Sequence, residues 1–128
     1  MRDDSPPMTA RVHSGAQHGT GLPWDDDGAV TLELSPQPPV LKLVGELDIA
    51  NQRAVRCALA VLGELPGADA VIDLSEATFL DASTVGALRA AHDRGMSLYV
   101  RGAHGLSSRV LEISGATRWM RPEESAQR

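Results

Sequence analysis

The sequence is poor in aromatic residues and cysteine, and each shortage narrows the kind of protein it encodes. Aromatic residues make up 3% of the 128 residues, so a hydrophobic core has to be built from aliphatic side chains. Cys57 is the single cysteine, which excludes an intramolecular disulfide, and no Cys/His cluster has the spacing of a metal site. We therefore expect no metal, no cofactor and a reducing, cytoplasmic location.

Positive charge is also scarce. Lys42 is the single lysine, the arginines are scattered, and the formal net charge is -5. Proteins that bind a nucleic-acid backbone need clustered Lys and Arg, so we expect no direct nucleic-acid partner and no anionic membrane surface. No apolar stretch approaches the roughly 20 residues of a membrane span, and Met1 to Thr20 lacks the apolar segment of a signal peptide.

The remaining composition is typical of one small globular domain, with 42% hydrophobic and 23% charged residues. Six of the eight prolines precede Val40, and large aliphatic residues are rare before residue 29. Such a segment buries too little apolar surface to offset its chain entropy. We therefore predict a disordered extension over 1–28, a folded domain over 29–117 and a flexible tail over 118–128.

Hydrophobic periodicity within the domain predicts alternating strands and helices. Short apolar or alternating runs indicate strands, and apolar residues at i, i+3 and i+4 indicate helices. The strands are predicted at Val30–Leu34, Val40–Val44, Ala70–Leu74 and Met96–Val100, and the helices at Ala50–Leu65, Ser83–Asp93 and Leu106–Ser114. This order predicts an α/β fold: a single domain with a mixed central sheet, parallel pairs and helices packed against it.

The same spacing predicts the buried face of each helix. Apolar residues recur every three or four positions in each helix, so that they share one side of it. They are Ala54, Val55, Ala58, Leu59, Val61, Leu62 and Leu65 in the first helix, Val85, Leu88 and Ala91 in the second, and Val110, Leu111 and Ile113 in the third.

Polar residues follow two of the predicted strands. Glu46 and Asp48 follow the second strand, and Asp81, Ser83 and Thr84 precede the second helix. All but Glu46 are residue types that cap helix N-termini, and capping alone would explain them. The alternative is functional, because open α/β sheets place functional loops at the carboxyl ends of their strands. A phosphate added to a hydroxyl here would meet free backbone N–H groups and the positive end of the helix dipole.

The two segments together resemble the STAS domain, in particular bacterial anti-anti-sigma factors. Leu43-Val44-Gly45-Glu46-Leu47-Asp48 is similar to the early G-E-L-D motif of that family. Val71–Leu74 followed by Phe79–Leu88 is similar to the family's strand and phosphorylation loop, which commonly reads D-S-S-G-L-G or D-S-T-G-L. The resemblance spans residues 29 to 116. Ala82 and Thr84 depart from the pattern, which often has serine and glycine there.

The resemblance implies a partner-switching function without enzymatic activity. It implies that the unphosphorylated chain binds an anti-sigma factor that is also a serine kinase and thereby releases a sigma factor. It further implies that phosphorylation of Ser83, with Thr84 as the alternative acceptor, ends the interaction and that a phosphatase restores it. The expected partner surface comprises Glu46, Asp48, Asp81, Ala82, Ser83, Thr84 and Val85.

Two other functions stay open at this point. The chain is alternatively a STAS scaffold or small-ligand sensor that does not switch. A serine hydrolase would need Ser83, an aspartate and either His92 or His104 to form a triad, but the G-x-S-x-G nucleophile elbow is absent. A phosphate-binding G-x-x-x-x-G-K-[ST] loop is absent as well.

Overall fold

The computed structural model describes residues 9–10, 29–34, 37–65 and 67–123. Within this part of the chain, one six-stranded sheet has its strands in sequence order. The first two pairings are antiparallel and the next three are parallel. The strands are β1 (Thr9–Ala10), β2 (Val30–Glu33), β3 (Val40–Leu47), β4 (Asp69–Leu80), β5 (Ser97–Arg101) and β6 (Arg121–Pro122).

Three helices connect the parallel strands: α1 (Gln52–Gly63), α2 (Ala82–Asp93) and α3 (Gly105–Ser114). Parallel neighbours need a long crossover connection, and a helix supplies it each time. The predicted α/β fold with a mixed sheet and helices packed against it is therefore confirmed. No helix in the described ranges has the length and apolar character needed to cross a bilayer.

The core between sheet and helices is aliphatic, as the shortage of aromatic residues requires. It includes Leu41, Leu43, Ile72 and Leu74 from the sheet, and Val55, Leu59, Leu62 and Leu88 from α1 and α2. The prediction of burial was wrong for two residues: Val61 is 36% exposed and Ile113 is 79% exposed. Both lie at the border of their apolar stripe, where the helix surface turns away from the sheet.

Both central strands continue beyond the predicted ends. Gly45 does not end β3. Its φ is positive, at 80°, and the pairing of β3 with β4 is irregular beside it, but the pairing then continues to Leu47. The polar stretch 75–78 does not interrupt β4, because its backbone pairs with β3 while Ser75, Glu76 and Thr78 expose their side chains. The two strands consequently end side by side.

The chain ends differ from the expected disordered extension and tail in the parts that the structure describes. Thr9–Ala10 pairs with β2, and the rest of 1–28 lies outside the described residues. Residues 118–123 join the fold: Met120 is buried, β6 pairs with β5, and Arg101 donates to both Glu123 carboxylate oxygens at 2.8 and 2.6 Å. Residues 124–128 lie outside the described residues.

Candidate phosphorylation site and partner surface

The two polar segments meet because β3 and β4 end in register. Leu47 pairs with Leu80, so that Asp48 and Asp81 each follow directly after a paired residue. The Asp81 amide also donates a hydrogen bond to the Leu47 carbonyl at 2.9 Å. The carboxyl edge of the sheet thus holds both segments in one place.

Asp81 is the N-cap of α2 and organises the first turn of the helix. Its Oδ1 atom accepts hydrogen bonds from the Thr84 amide at 3.0 Å, the Ser83 hydroxyl at 2.7 Å and the Thr84 hydroxyl at 3.2 Å. Partial burial raises the pKa of the Asp81 carboxyl, but these hydrogen bonds outweigh burial and hold the pKa below its ordinary value. The cap is therefore a carboxylate at neutral pH.

Ser83 and Thr84 are adjacent in sequence but differ in access. Ser83 is partly exposed, whereas Thr84 is buried with 0% of its surface accessible. The helix geometry explains the difference, because consecutive residues point about 100° apart and Thr84 shares the inner face with Leu88. Of the two expected acceptors, only Ser83 presents surface to an enzyme.

The other predicted residues divide between capping and exposure. Asp48 caps a short 3-10 turn over Ile49–Asn51, where its side chain accepts from the Ala50 amide at 3.0 Å. The capping interpretation of Asp48 is thus confirmed. Glu46 and Ala82 are exposed, and Val85 is largely buried.

An apolar groove beside Ser83 was not predicted. It encloses about 290 Å³, and its apolar lining includes Phe79, Ala82, Val85, Val110 and Ile113. Phe79 is the single phenylalanine and 37% of it is exposed. Because neighbouring residues of a strand face opposite sides, the Phe79-Leu80 pair at a strand end required one apolar side chain to point away from the core. That signal was available in the sequence.

The hydrolase arrangement is not brought together. His92 lies nine residues after Ser83 on α2, which is about 13 Å along the helix axis. The ring of His104 instead contacts the Ser75 carbonyl through Nε2 at 3.1 Å. The Ser83 hydroxyl donates directly to Asp81, which orients it. No histidine lies between the serine and the aspartate, as a triad would require.

Replacing Asp81 by alanine is expected to lower the free energy of unfolding by about 1 kcal/mol at neutral pH, because the α2 cap is lost. Asp81→Asn keeps an oxygen acceptor and should retain most of this stability. The lowered pKa means that the carboxylate stabilises the fold above its unfolded pKa, near 3.8, and ceases to as pH falls through the folded value. Urea unfolding of the wild type and of Asp81→Ala at pH 7 and at pH 3 tests this. If the difference between their free energies of unfolding were larger at pH 3 than at pH 7, the explanation would be contradicted.

Comparison with known proteins agrees with this architecture. The family model described as "Mlab, STAS domain" matches residues 30–122. No curated protein sequence matches the chain.

Solved structures show the same fold at low sequence identity. An anti-sigma factor antagonist from Mycobacterium paratuberculosis is 24% identical with a TM-score of 0.59, over 73% of this chain and 84% of that one. The anti-sigma factor antagonist SpoIIAA in its unphosphorylated form is 23% identical with a TM-score of 0.61, over 77% and 92%. The phosphorylated form of SpoIIAA, a Bacillus cell fate determinant, is 21% identical with a TM-score of 0.55, over 77% and 96%. Since the family match includes both strand ends and the Asp81 cap, the chain belongs to the STAS domain family.

Proposed function

We propose that this chain is an anti-sigma factor antagonist that binds a kinase-type anti-sigma factor and is switched off by phosphorylation of Ser83. The observation that carries the proposal is the contrast at the start of α2. Ser83 offers a partly exposed hydroxyl held by Asp81, while the neighbouring Thr84 is buried. The chain then acts by binding in the cytoplasm, and the partner supplies the catalysis.

The chemistry of the switch follows from the Ser83–Asp81 contact. The Ser83 oxygen attacks the terminal phosphorus of ATP, the bond to ADP breaks, and the hydroxyl proton leaves to a base of the kinase. The hydroxyl can then no longer donate to Asp81 Oδ1, which it contacts at 2.7 Å. A phosphate adds a charge of about -1.5 to -2 next to this carboxylate.

Local structure should survive the modification. The first-turn amides of α2 and the helix dipole favour an anion, and the Thr84 amide still has Asp81 as its acceptor. The surface around Ser83 becomes strongly negative, since Asp48 follows the end of β3 and the exposed Glu46 lies two residues before it. A partner that accepts the neutral hydroxyl is repelled by the phosphate, and a phosphatase restores binding.

The apolar groove gives the same partner its hydrophobic contact. Phe79, Val85 and Ile113 line it, and Ile113 has 79% of its surface exposed. Ala82 lines the groove and immediately precedes Ser83. A kinase whose active site reaches Ser83 therefore covers the groove, and burying Ile113 and Phe79 stabilises the complex.

Ile113→Glu is expected to weaken binding of the kinase-type anti-sigma factor by about tenfold or more, because it places an unpaired charge in the buried part of the interface. Leu106→Glu is the matched control, since Leu106 lies on the same helix, is 60% exposed and is not among the groove residues. Both variants should unfold at the wild-type urea concentration. Equal loss of binding in the two variants would remove the groove from the interface.

The proposed function is tested by adding the purified chain to extract of its own cells, with and without ATP. We expect a kinase-type anti-sigma factor to co-purify without ATP and to be released with ATP, as one phosphate appears on the peptide containing Ser83. The Ser83→Ala chain should retain the partner under both conditions. A partner that stays bound to a wild-type chain with unmodified Ser83 would indicate a scaffold that does not switch.

A further inference from the structure

A second cavity lies at the opposite end of α2 from Ser83. It encloses about 350 Å³ between the end of α2, strand β5 and the segment that follows α3. Its polar and aromatic lining consists of His92, Ser97, Tyr99, Arg118, Trp119 and Arg121. None of the residues assigned to the switch contributes to it.

The lining of the cavity contains two arginines and no carboxylate. Arg118 and Arg121 both line it, and no Asp or Glu does. Neither arginine has a carboxylate partner among the described residues, whereas Arg89 and Arg101 are both paired. Two guanidinium groups in the lining of one concave site, without a carboxylate partner among the described residues, favour an anion.

The walls of the cavity are held in place before any ligand arrives. The centroids of the Trp119 and His92 rings lie 5.2 Å apart, and the Cζ atom of Arg89 lies 5.7 Å from the centroid of the Trp119 ring. Buried Met120 anchors the backbone between Trp119 and Arg121, and Arg121 is the pairing partner of Tyr99 in the sheet. A preformed site of this kind binds without a large ordering cost.

We propose that this cavity binds a small organic anion, with a phosphate or carboxylate group held by Arg118 and Arg121 and an apolar body against Trp119. The guanidinium fork matches both oxyanions in geometry and charge, and the indole contributes aromatic surface to the wall of the cavity. Met96 and Leu98 complete the apolar part of the wall.

Trp119 provides a direct readout, because the sequence contains only one other tryptophan, Trp24. In a Trp24→Phe chain, the fluorescence of Trp119 should change saturably with phenyl phosphate and with benzoate. Inorganic phosphate has the charge without the ring, and phenol has the ring without the charge, so each should bind more weakly than phenyl phosphate. Substituting both Arg118→Gln and Arg121→Gln should weaken phenyl phosphate binding by about tenfold or more. Arg109→Gln, an exposed arginine outside the cavity, should leave binding unchanged.

Three results would overturn the proposal. The first is the absence of any saturable change with phenyl phosphate or benzoate. The second is a change that survives the double arginine substitution, which would place the ligand elsewhere. The third is inorganic phosphate binding as tightly as phenyl phosphate, which would reduce the cavity to a simple ion site. A failure of the Ser83 switch would affect none of these measurements.

Discussion

Replacing Ser83 by glutamate is expected to weaken binding of the kinase-type anti-sigma factor by about a hundredfold, whereas Ser83→Ala should bind at least as tightly as the unmodified chain. The serine hydroxyl is a donor to Asp81 at 2.7 Å. Glutamate cannot donate, and it brings a second carboxylate to a site that already holds one. Alanine removes the hydroxyl without adding charge, so that the surface stays acceptable to the partner.

The two Ser83 variants should differ little in stability, which separates the effect on binding from any effect on folding. Asp81, rather than Ser83, caps α2, and its contact with the Thr84 amide at 3.0 Å remains in both variants. Binding is measured by calorimetry with the purified partner, and Thr117→Glu adds the same charge at an exposed position after α3. Equal affinities of the Ser83→Glu and Ser83→Ala chains would refute the electrostatic mechanism.

Gly102→Ala is expected to be the most damaging change among the glycines that the structure describes, with a loss of about 3 kcal/mol in the free energy of unfolding. Gly102 follows β5 with a φ of 73°, and an added Cβ would lie 2.7 Å from the Ser75 Cβ and 2.9 Å from its Cα. Atoms at these distances overlap, and the Ser75 backbone is fixed within β4. At Gly102 the chain leaves β5 and passes close to Ser75 of the neighbouring strand β4.

Gly115→Ala separates the steric clash from the backbone strain. Gly115 has a similar φ of 82°, but an added Cβ would have no atom within 4 Å. We expect it to lose about 1 kcal/mol, which is the cost of a left-handed conformation alone. Urea unfolding of both variants gives the difference, and similar losses would show that Ser75 moves aside without cost.

The order of strands and helices could be read from the sequence because each element carries its own period. The apolar spacing of α2 placed Val85, Leu88 and Ala91 on the inner face, and all three are buried. The aspartate before this helix marked its start. Two aspartates after adjacent parallel strands also implied a shared edge, and the pairing of Leu47 with Leu80 puts them there.

The exposed apolar residues of the helices could not be found in the same way. Ile113 satisfies the spacing of a core residue as well as Leu111 does, yet Leu111 is buried and Ile113 is not. The difference depends on where the neighbouring elements lie, which a local pattern does not contain. The C-terminal end of the domain could not be predicted for a similar reason. Strand β6 has only two residues, and its place depends on pairing with β5 and on the Arg101–Glu123 contact.

The unequal pairing of β4 has a consequence for how the molecule opens. Residues 71–73, in the first half of β4, pair with strands on both sides, whereas the last residues of the strand, 76–80, pair only with β3, and α3 packs against the strand. Amide hydrogens should therefore exchange more slowly at the start of the strand than at its end. Because the Asp81 amide is tied to the end of β3, both loops would loosen together. A local fluctuation of this kind would widen the access to the partly exposed Ser83, while the aliphatic centre of the domain stays closed.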